Sequence, residues 1–206
     1  NNSQVVNIYV DGELDYRVNG ITGTGTTNNS PLVIAGYSDG TRNIDGKVDD
    51  VRVFSKALGP QAIKWEYGAG IGKRYTNSLR HVCEDMWCLM DNNNNTYEDL
   101  KDDGLFGIPG RRENSSIGTD TIGTRSIRRI FFDGRTAPEW VTFGDCSVLD
   151  GLDKFSLSLW FDRVQDENDA TNHSVENVLV ANSSGSSNDN FELGTNGNNI
   201  ELYMDT

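Results

Sequence analysis

The chain is short of positive charge, of long apolar runs, of histidine and of cysteine. Lysine and arginine total 18 against 31 aspartate and glutamate, a formal net charge of -13. A surface of that sign repels phosphate backbones, which excludes nucleic-acid binding as the main task. No apolar stretch approaches ~18 residues, so no helical membrane span is expected. The two histidines, His81 and His173, each lie far in sequence from any nucleophile context. A leader pattern is missing as well. Asn1-Asn2-Ser3 runs almost at once into a strand, and the expectation is a piece cut from something longer or a start in mid-fold.

Three cysteines cannot all pair with one another. Cys83 and Cys88 are close enough for a local disulfide, which leaves Cys146 over; three reduced thiols are the alternative. N-glycan acceptor patterns stand at Asn1, Asn28, Asn94, Asn114, Asn172 and Asn182, all in polar, turn-like stretches. With the acidity and the low lysine content, they point to a secreted, extracellular glycoprotein carrying covalent N-glycans.

What the chain does hold is glycine, 22 residues, and bulky core material in four Trp, eight Phe and seven Tyr. Val6, Ile8 and Val10 alternate with polar neighbours as in a strand, and Asp11-Gly12 signals a hairpin turn. A weak return strand and a Thr/Gly/Asn loop follow, then Leu32-Val33-Ile34 and the strand Gly46–Phe54. The phase shift between Val48 and Val51 predicts a bulge at the Asp pair. Pro60 opens a short helix with Ala62, Ile63 and Trp65 available to pack on a sheet. From Glu66 to about Ser126 the pattern collapses into an irregular, cysteine-containing connector. Alternation returns at Ile127–Phe132, Trp140–Phe143, Phe155–Phe161, Val178–Val180, Phe191–Leu193 and Ile200–Tyr203. Short strands without helical partners predict an all-β, antiparallel sandwich.

Ile8-Tyr9-Val10-Asp11-Gly12, Pro31–Gly36, Asp45–Phe54 and the step Ala57-Leu58 resemble the closing half of a laminin-G-like, concanavalin A-type jelly-roll domain. Phe132-Asp133-Gly134, Val141–Gly144 and Phe155–Phe161 resemble its opening half. Together they cover about two thirds of the chain. The order is reversed, and the W-H-H-V-A-type strand that the resemblance places between the halves is absent. The expected organisation is therefore a jelly roll in split or circularly permuted order. Residues 1–66 form the closing half, 67–127 the connector or insert, and 128–206 the opening half. The halves pair within one chain, between successive copies head to tail, or across a tandem array. The last two build a line rather than a closed ring. The expected function is a structural or adhesive unit assembling into a filament with identical subunits or neighbouring domains. A carbohydrate-binding, lectin-like module is the second reading.

The resemblance also brings candidate sites. Glycosidases of this architecture set two carboxylates on one strand, as in E-x-D-x-x-E, and no such spacing occurs here, so no catalytic residue and no enzyme activity are expected. A structural calcium ion would sit near Asp50 and Asp133. Separately, Asp91, Asn93, Asn95, Asp99 and Asp102 echo a calcium loop, although Thr96 stands where glycine is needed. For carbohydrate, Tyr37, Trp140 and Tyr203 are the candidate aromatic platforms. Arg111, Arg112, Arg125, Arg128 and Arg129 make the one basic cluster.

Overall fold

A computed structural model describes residues 4–21, 29–37, 39, 42–70, 86–88, 100–101, 109–113, 115–122, 125–132, 139–146, 149–151, 154–163, 177–183, 191–197 and 199–204. It opens with a hairpin of β1 (Gln4–Val10) and β2 (Glu13–Ile21). Asp11 and Gly12 both take positive φ, 51° and 77°, the backbone of a type I′ turn whose twist matches that of the flanking strands. Then follow β3 (Pro31–Ile34), β4 (Gly46–Phe54) and the helix α1 (Pro60–Gly70). The remaining strands are β5 (Met86–Cys88), β6 (Leu100–Lys101), β7 (Pro109–Glu113), β8 (Ser116–Ile122), β9 (Arg125–Phe132), β10 (Trp140–Asp145), β11 (Ser156–Arg163), β12 (Asn177–Asn182), β13 (Phe191–Asn196) and β14 (Asn199–Met204).

Two antiparallel sheets face each other. One runs β14-β13-β12-β3-β10-β7-β6, the other β11-β4-β9-β8, with β5 also on β4. Leu32, Ile34, Val141, Phe143, Val180 and Phe191 of the first sheet meet Val48, Val51, Val53, Ile130 and Phe132 of the second in one buried core. Period-two alternation produces this: each strand sends every other side chain inward. Cys146 is a buried thiol in the same core.

β3 lies between β12 and β10, and β4 pairs with β11, β9 and β5. Strands from the two ends of the sequence thus complete each other's sheets within one chain. Both edges of β3 and β4 are occupied, so they have none to offer to a successive copy. Part of the stretch expected as a connector forms strands, and much of the rest, including residues 71–85, 89–99 and 102–108, lies outside the described residues. Residues 109–132 supply β7 to the larger sheet and β8 and β9 to the smaller.

The bulge predicted in β4 is present. Ser158 opposes Arg52 while Trp160 opposes Asp49, which leaves one extra residue on β4. Asp50 adopts φ 52°, a conformation that aspartate tolerates better than most residues. The extra residue lets Val48, Val51 and Val53 all stay buried despite the change of phase. On α1, Ala62, Ile63, Glu66 and Tyr67 form the inward stripe, whereas Trp65 is 48% exposed, contrary to the expectation that it packs on the sheet. The reason is angular: at 100° per residue, position 65 lies off the stripe that 62, 63, 66 and 67 share. Tyr67 stacks on Trp160 of β11 at 5.5 Å and also covers the hairpin turn, where a Cβ on Gly12 would meet the Tyr67 Cβ at 2.9 Å. Lys64 pairs with Glu13 at 2.8 Å. No helix among the described residues is long and apolar enough to cross a membrane.

Candidate functional site

The outer face of the seven-stranded sheet carries the site. Antiparallel partners directly opposite each other share a face. Tyr203 opposes Glu192, Glu192 opposes Ala181, Ala181 opposes Val33 and Val33 opposes Thr142, which traces one row across five strands. The next row pairs Glu201 with Gly194 and Gly194 with Val178. Val33, Val178, Ala181 and Tyr37 form a second buried cluster on this face, with Trp140 packed against it.

At the β14 end the face becomes polar and open. A shallow surface depression, with room for little more than a water molecule, is lined by Asn177, Val178, Glu192, Gly194, Thr195, Glu201 and Tyr203. Gly194 is there because a Cβ would come within 2.6 Å of the Asn177 carbonyl oxygen. Tyr203 is 47% exposed and its hydroxyl donates to Glu201 Oε2 at 2.8 Å. Asn196 Nδ2 donates to the other oxygen of Glu201 at 3.4 Å. Glu192 is buried, and Arg42 Nη1 lies 3.7 Å from its Oε2. The same nitrogen donates to the Tyr37 hydroxyl at 3.0 Å, with the guanidinium carbon 5.0 Å from the ring centroid. Arg42 holds this position with φ 55°, while its carbonyl accepts from the Val178 N–H at 2.9 Å. An exposed aromatic ring, two carboxylates and amide groups on neighbouring strands lie together in one small patch.

The candidate aromatics are thus divided. Tyr37 and Tyr203 are linked through Arg42 and Glu192, but only Tyr203 presents its ring to solvent. Tyr37 is 2% exposed, so it acts as a core residue whose hydroxyl orients Arg42 and not as a platform. Trp140 lies on the same face, but β10 stands four strands from β14, roughly 19 Å at the usual inter-strand spacing of ~4.8 Å.

Other candidates fare differently. Asp50 accepts from Arg52 Nε at 2.9 Å and Nη2 at 2.7 Å with its two carboxylate oxygens. Arg52, 2% exposed, also donates to Glu66. Burial pushes the Glu66 carboxyl above its usual range, and the neighbouring Arg52 charge only partly offsets that. No group of three or more metal-type side chains gathers among the described residues. Asp133, Asp91, Asn93, Asn95, Asp99 and Asp102 lie outside the described residues, as do Cys83 and the acceptors Asn1, Asn28, Asn94, Asn114 and Asn172. Asn182 is described and is a correction. It is 1% exposed and its Nδ2, the atom a glycan would occupy, donates to the Ser30 carbonyl at 2.8 Å. The basic cluster is not one patch either, since Arg112 is buried while Arg111 is exposed and pairs with Glu113 at 2.8 Å.

Arg42, Glu192 and Glu201 escape the reading of the sequence, because only strand register brings them together. The signal that was available is Gly197, which takes φ 56° at the turn between the paired Asn196 and Asn199 and so sets Glu192 opposite Tyr203.

Comparison with known proteins places the opening strands. Residues 1–64 match a laminin-G family model of the concanavalin A-like lectin/glucanases superfamily. That stretch of the chain is laminin-G-like. The laminin-G-like segment contains the hairpin, β3, β4 and the start of α1, and so supplies the central strand of each sheet. Arg42 and Tyr37 belong to it, whereas Glu192, Glu201 and Tyr203 lie beyond it. No curated protein and no solved structure matches the chain.

Proposed function

We propose that this chain is an extracellular, lectin-like binding module, and that carbohydrate is its ligand at the β12–β14 end of the larger sheet. The observation that carries the reading is the exposed Tyr203 ring set beside Glu192, Glu201 and Asn177 in one depression. Sugar rings offer apolar C–H faces that stack on such a ring and hydroxyls that bond to carboxylates and amides. The laminin-G likeness of residues 1–64 supports the same reading, since concanavalin A-like sandwiches are in general binding modules. Glu192 is engaged by Arg42, and Glu201 by Tyr203 and Asn196. That arrangement suits holding a ligand more than passing protons between a paired acid and base.

Glycan-array screening followed by calorimetry on wild type and Tyr203→Ala tests the proposal. Wild type binds at least one glycan class, and the variant binds it about tenfold more weakly, the ~1.4 kcal/mol expected from losing one stacking ring. Its thermal unfolding stays close to wild type, because Tyr203 is exposed on an edge strand. Absence of any glycan binding, or equal binding by Tyr203→Ala, overturns it.

A further inference from the structure

We propose that the Asn19-Gly20 step of β2 is a self-modifying site, at which the Gly20 backbone nitrogen closes on the Asn19 side-chain amide with Arg17 assisting. The chemistry is an intramolecular acyl transfer. The Gly20 nitrogen bonds to Asn19 Cγ and gives up its proton, the Cγ–Nδ2 bond breaks, and Nδ2 leaves with a proton as ammonia. Water then opens the succinimide ring to aspartate or isoaspartate, with no oxidant or reductant involved. In a regular strand the ladder hydrogen bonds resist this closure, because they hold the backbone that must turn.

Three observations lift that resistance at this step. Gln4 opposes Ile21 while Val5 opposes Asn19, so Gly20 is the extra residue of a bulge and is left out of the ladder. Gly20 adopts φ 81°, and nothing beyond its chain neighbours comes within 4 Å of where a Cβ would stand, so the backbone has room to turn. Asn19 is exposed, and Arg17 Nε donates to its Oδ1 at 3.1 Å. That oxygen takes up negative charge in the tetrahedral intermediate, so a guanidinium bonded to it stabilises the charge as it develops. The sequence holds a second Asn-Gly step, Asn196-Gly197, which serves as an internal comparison. Each asparagine follows a β-branched residue, Val18 or Thr195. Asn196, however, donates through Nδ2 to Glu201 Oε1 at 3.4 Å, so the charge beside it is a carboxylate, which opposes the developing negative charge.

Peptide mapping by mass spectrometry, on the full chain incubated at neutral pH, follows conversion of amide to acid at both steps. In the folded chain Asn19 converts about fivefold faster than Asn196, and Arg17→Ala slows Asn19 by about fivefold, the scale of one exposed charged contact. Chromatography separates isoaspartate from aspartate at position 19, and finding both confirms passage through the ring. In strong denaturant the two asparagines convert at similar rates, because the bulge and the Arg17 contact are lost. The direction of the Arg17→Ala effect separates the guanidinium from a merely structural role. A looser hairpin would speed ring closure, whereas loss of the charge slows it. Conversion of Asn19 no faster than that of Asn196 in the folded chain overturns the proposal. An unchanged or faster rate in Arg17→Ala overturns the part assigned to the guanidinium. A lead for Asn19 that persists in denaturant assigns it to local sequence and overturns the structural account.

Discussion

Removing Arg52 should unlatch α1 from the sandwich and cost more stability than any other single surface-to-core ion pair in the described molecule. The guanidinium is 2% exposed and makes two bonds to Asp50, at 2.9 and 2.7 Å, and one to Glu66. Arg52→Ala leaves two carboxylates facing each other with side chains only 16% and 13% exposed. Breaking one side of such a buried pair typically costs about 3–5 kcal/mol, because the remaining charge is stranded. For a chain of this size that is a fall in Tm of roughly 6–20 °C. Neutralising the stranded groups isolates the cause. Arg52→Ala combined with Asp50→Asn and Glu66→Gln should recover about half of the loss, since amides are cheaper to bury than unpaired carboxylates. Thermal unfolding followed by circular dichroism gives the Tm. Fluorescence of Trp160, stacked on Tyr67 of α1, reports release of the helix. A fall of less than about 2 °C, or an equal fall in the single and triple variants, would refute the reasoning.

The same cluster gives a pH prediction through Glu66→Gln. A carboxyl whose folded pKa is raised contributes stability that is complete below its unfolded pKa and is lost as pH rises through the folded value, so ionised Glu66 is a burden at neutral pH. The variant should therefore match or exceed wild type at neutral pH, and its advantage should shrink on acidification through the range just above the ordinary glutamate pKa, as read from chemical-denaturation midpoints. At the hairpin turn, Gly12→Ala places a side chain at φ 77° and 2.9 Å from Tyr67, a loss of about 1–2 kcal/mol that appears as a lower Tm. Asn182 should remain unmodified when the chain is made in a glycosylating host, by peptide mass spectrometry, and Asn182→Ala should cost about 0.5–1.5 kcal/mol by removing the bond to the Ser30 carbonyl. Cys146, 1% exposed, should react with a thiol reagent only on the timescale of unfolding.

Local chemistry was legible and long-range pairing was not. Asp11-Gly12 announces its turn, and the phase change between Val48 and Val51 announces the bulge, because each is decided by backbone preference within a few residues. Ile127–Phe132 was legible by its alternation, whereas Ser116–Ile122 escaped because β8 is built mostly of Ser, Gly, Thr and Asp, so hydrophobic alternation is weak although the backbone pairs with β9 along its whole length. Tyr37 and Asn182 look like surface residues in sequence. They are buried because β3 and β12 lie inside a seven-stranded sheet whose outer face carries its own apolar cluster. The binding patch needed one more non-local fact, that the chain around Arg42 reaches Glu192, some 150 residues on, and no spacing rule carries that.

The pairing of β3 and β4 with strands far along the chain leads to a sharper test of how the fold is assembled. Among the described residues of 1–70 the only strand pairing is the β1–β2 hairpin, and an isolated hairpin is marginal in water. β3 finds both of its neighbours, and β4 all of its partners, after residue 85. Separately produced fragments of residues 1–70 and 86–206 should therefore each unfold without a cooperative transition. Mixed, they should associate and regain one, since Leu32, Ile34, Val48, Val51 and Val53 complete a core whose other wall comes from the second fragment. Association requires no particular covalent route between the two fragments. The intact chain should stay monomeric by light scattering, because its own second half already occupies the edges of β3 and β4. A concentration-dependent, open-ended assembly of the intact chain would show that the halves prefer partners in other copies, and the intrachain pairing would then be the minor form.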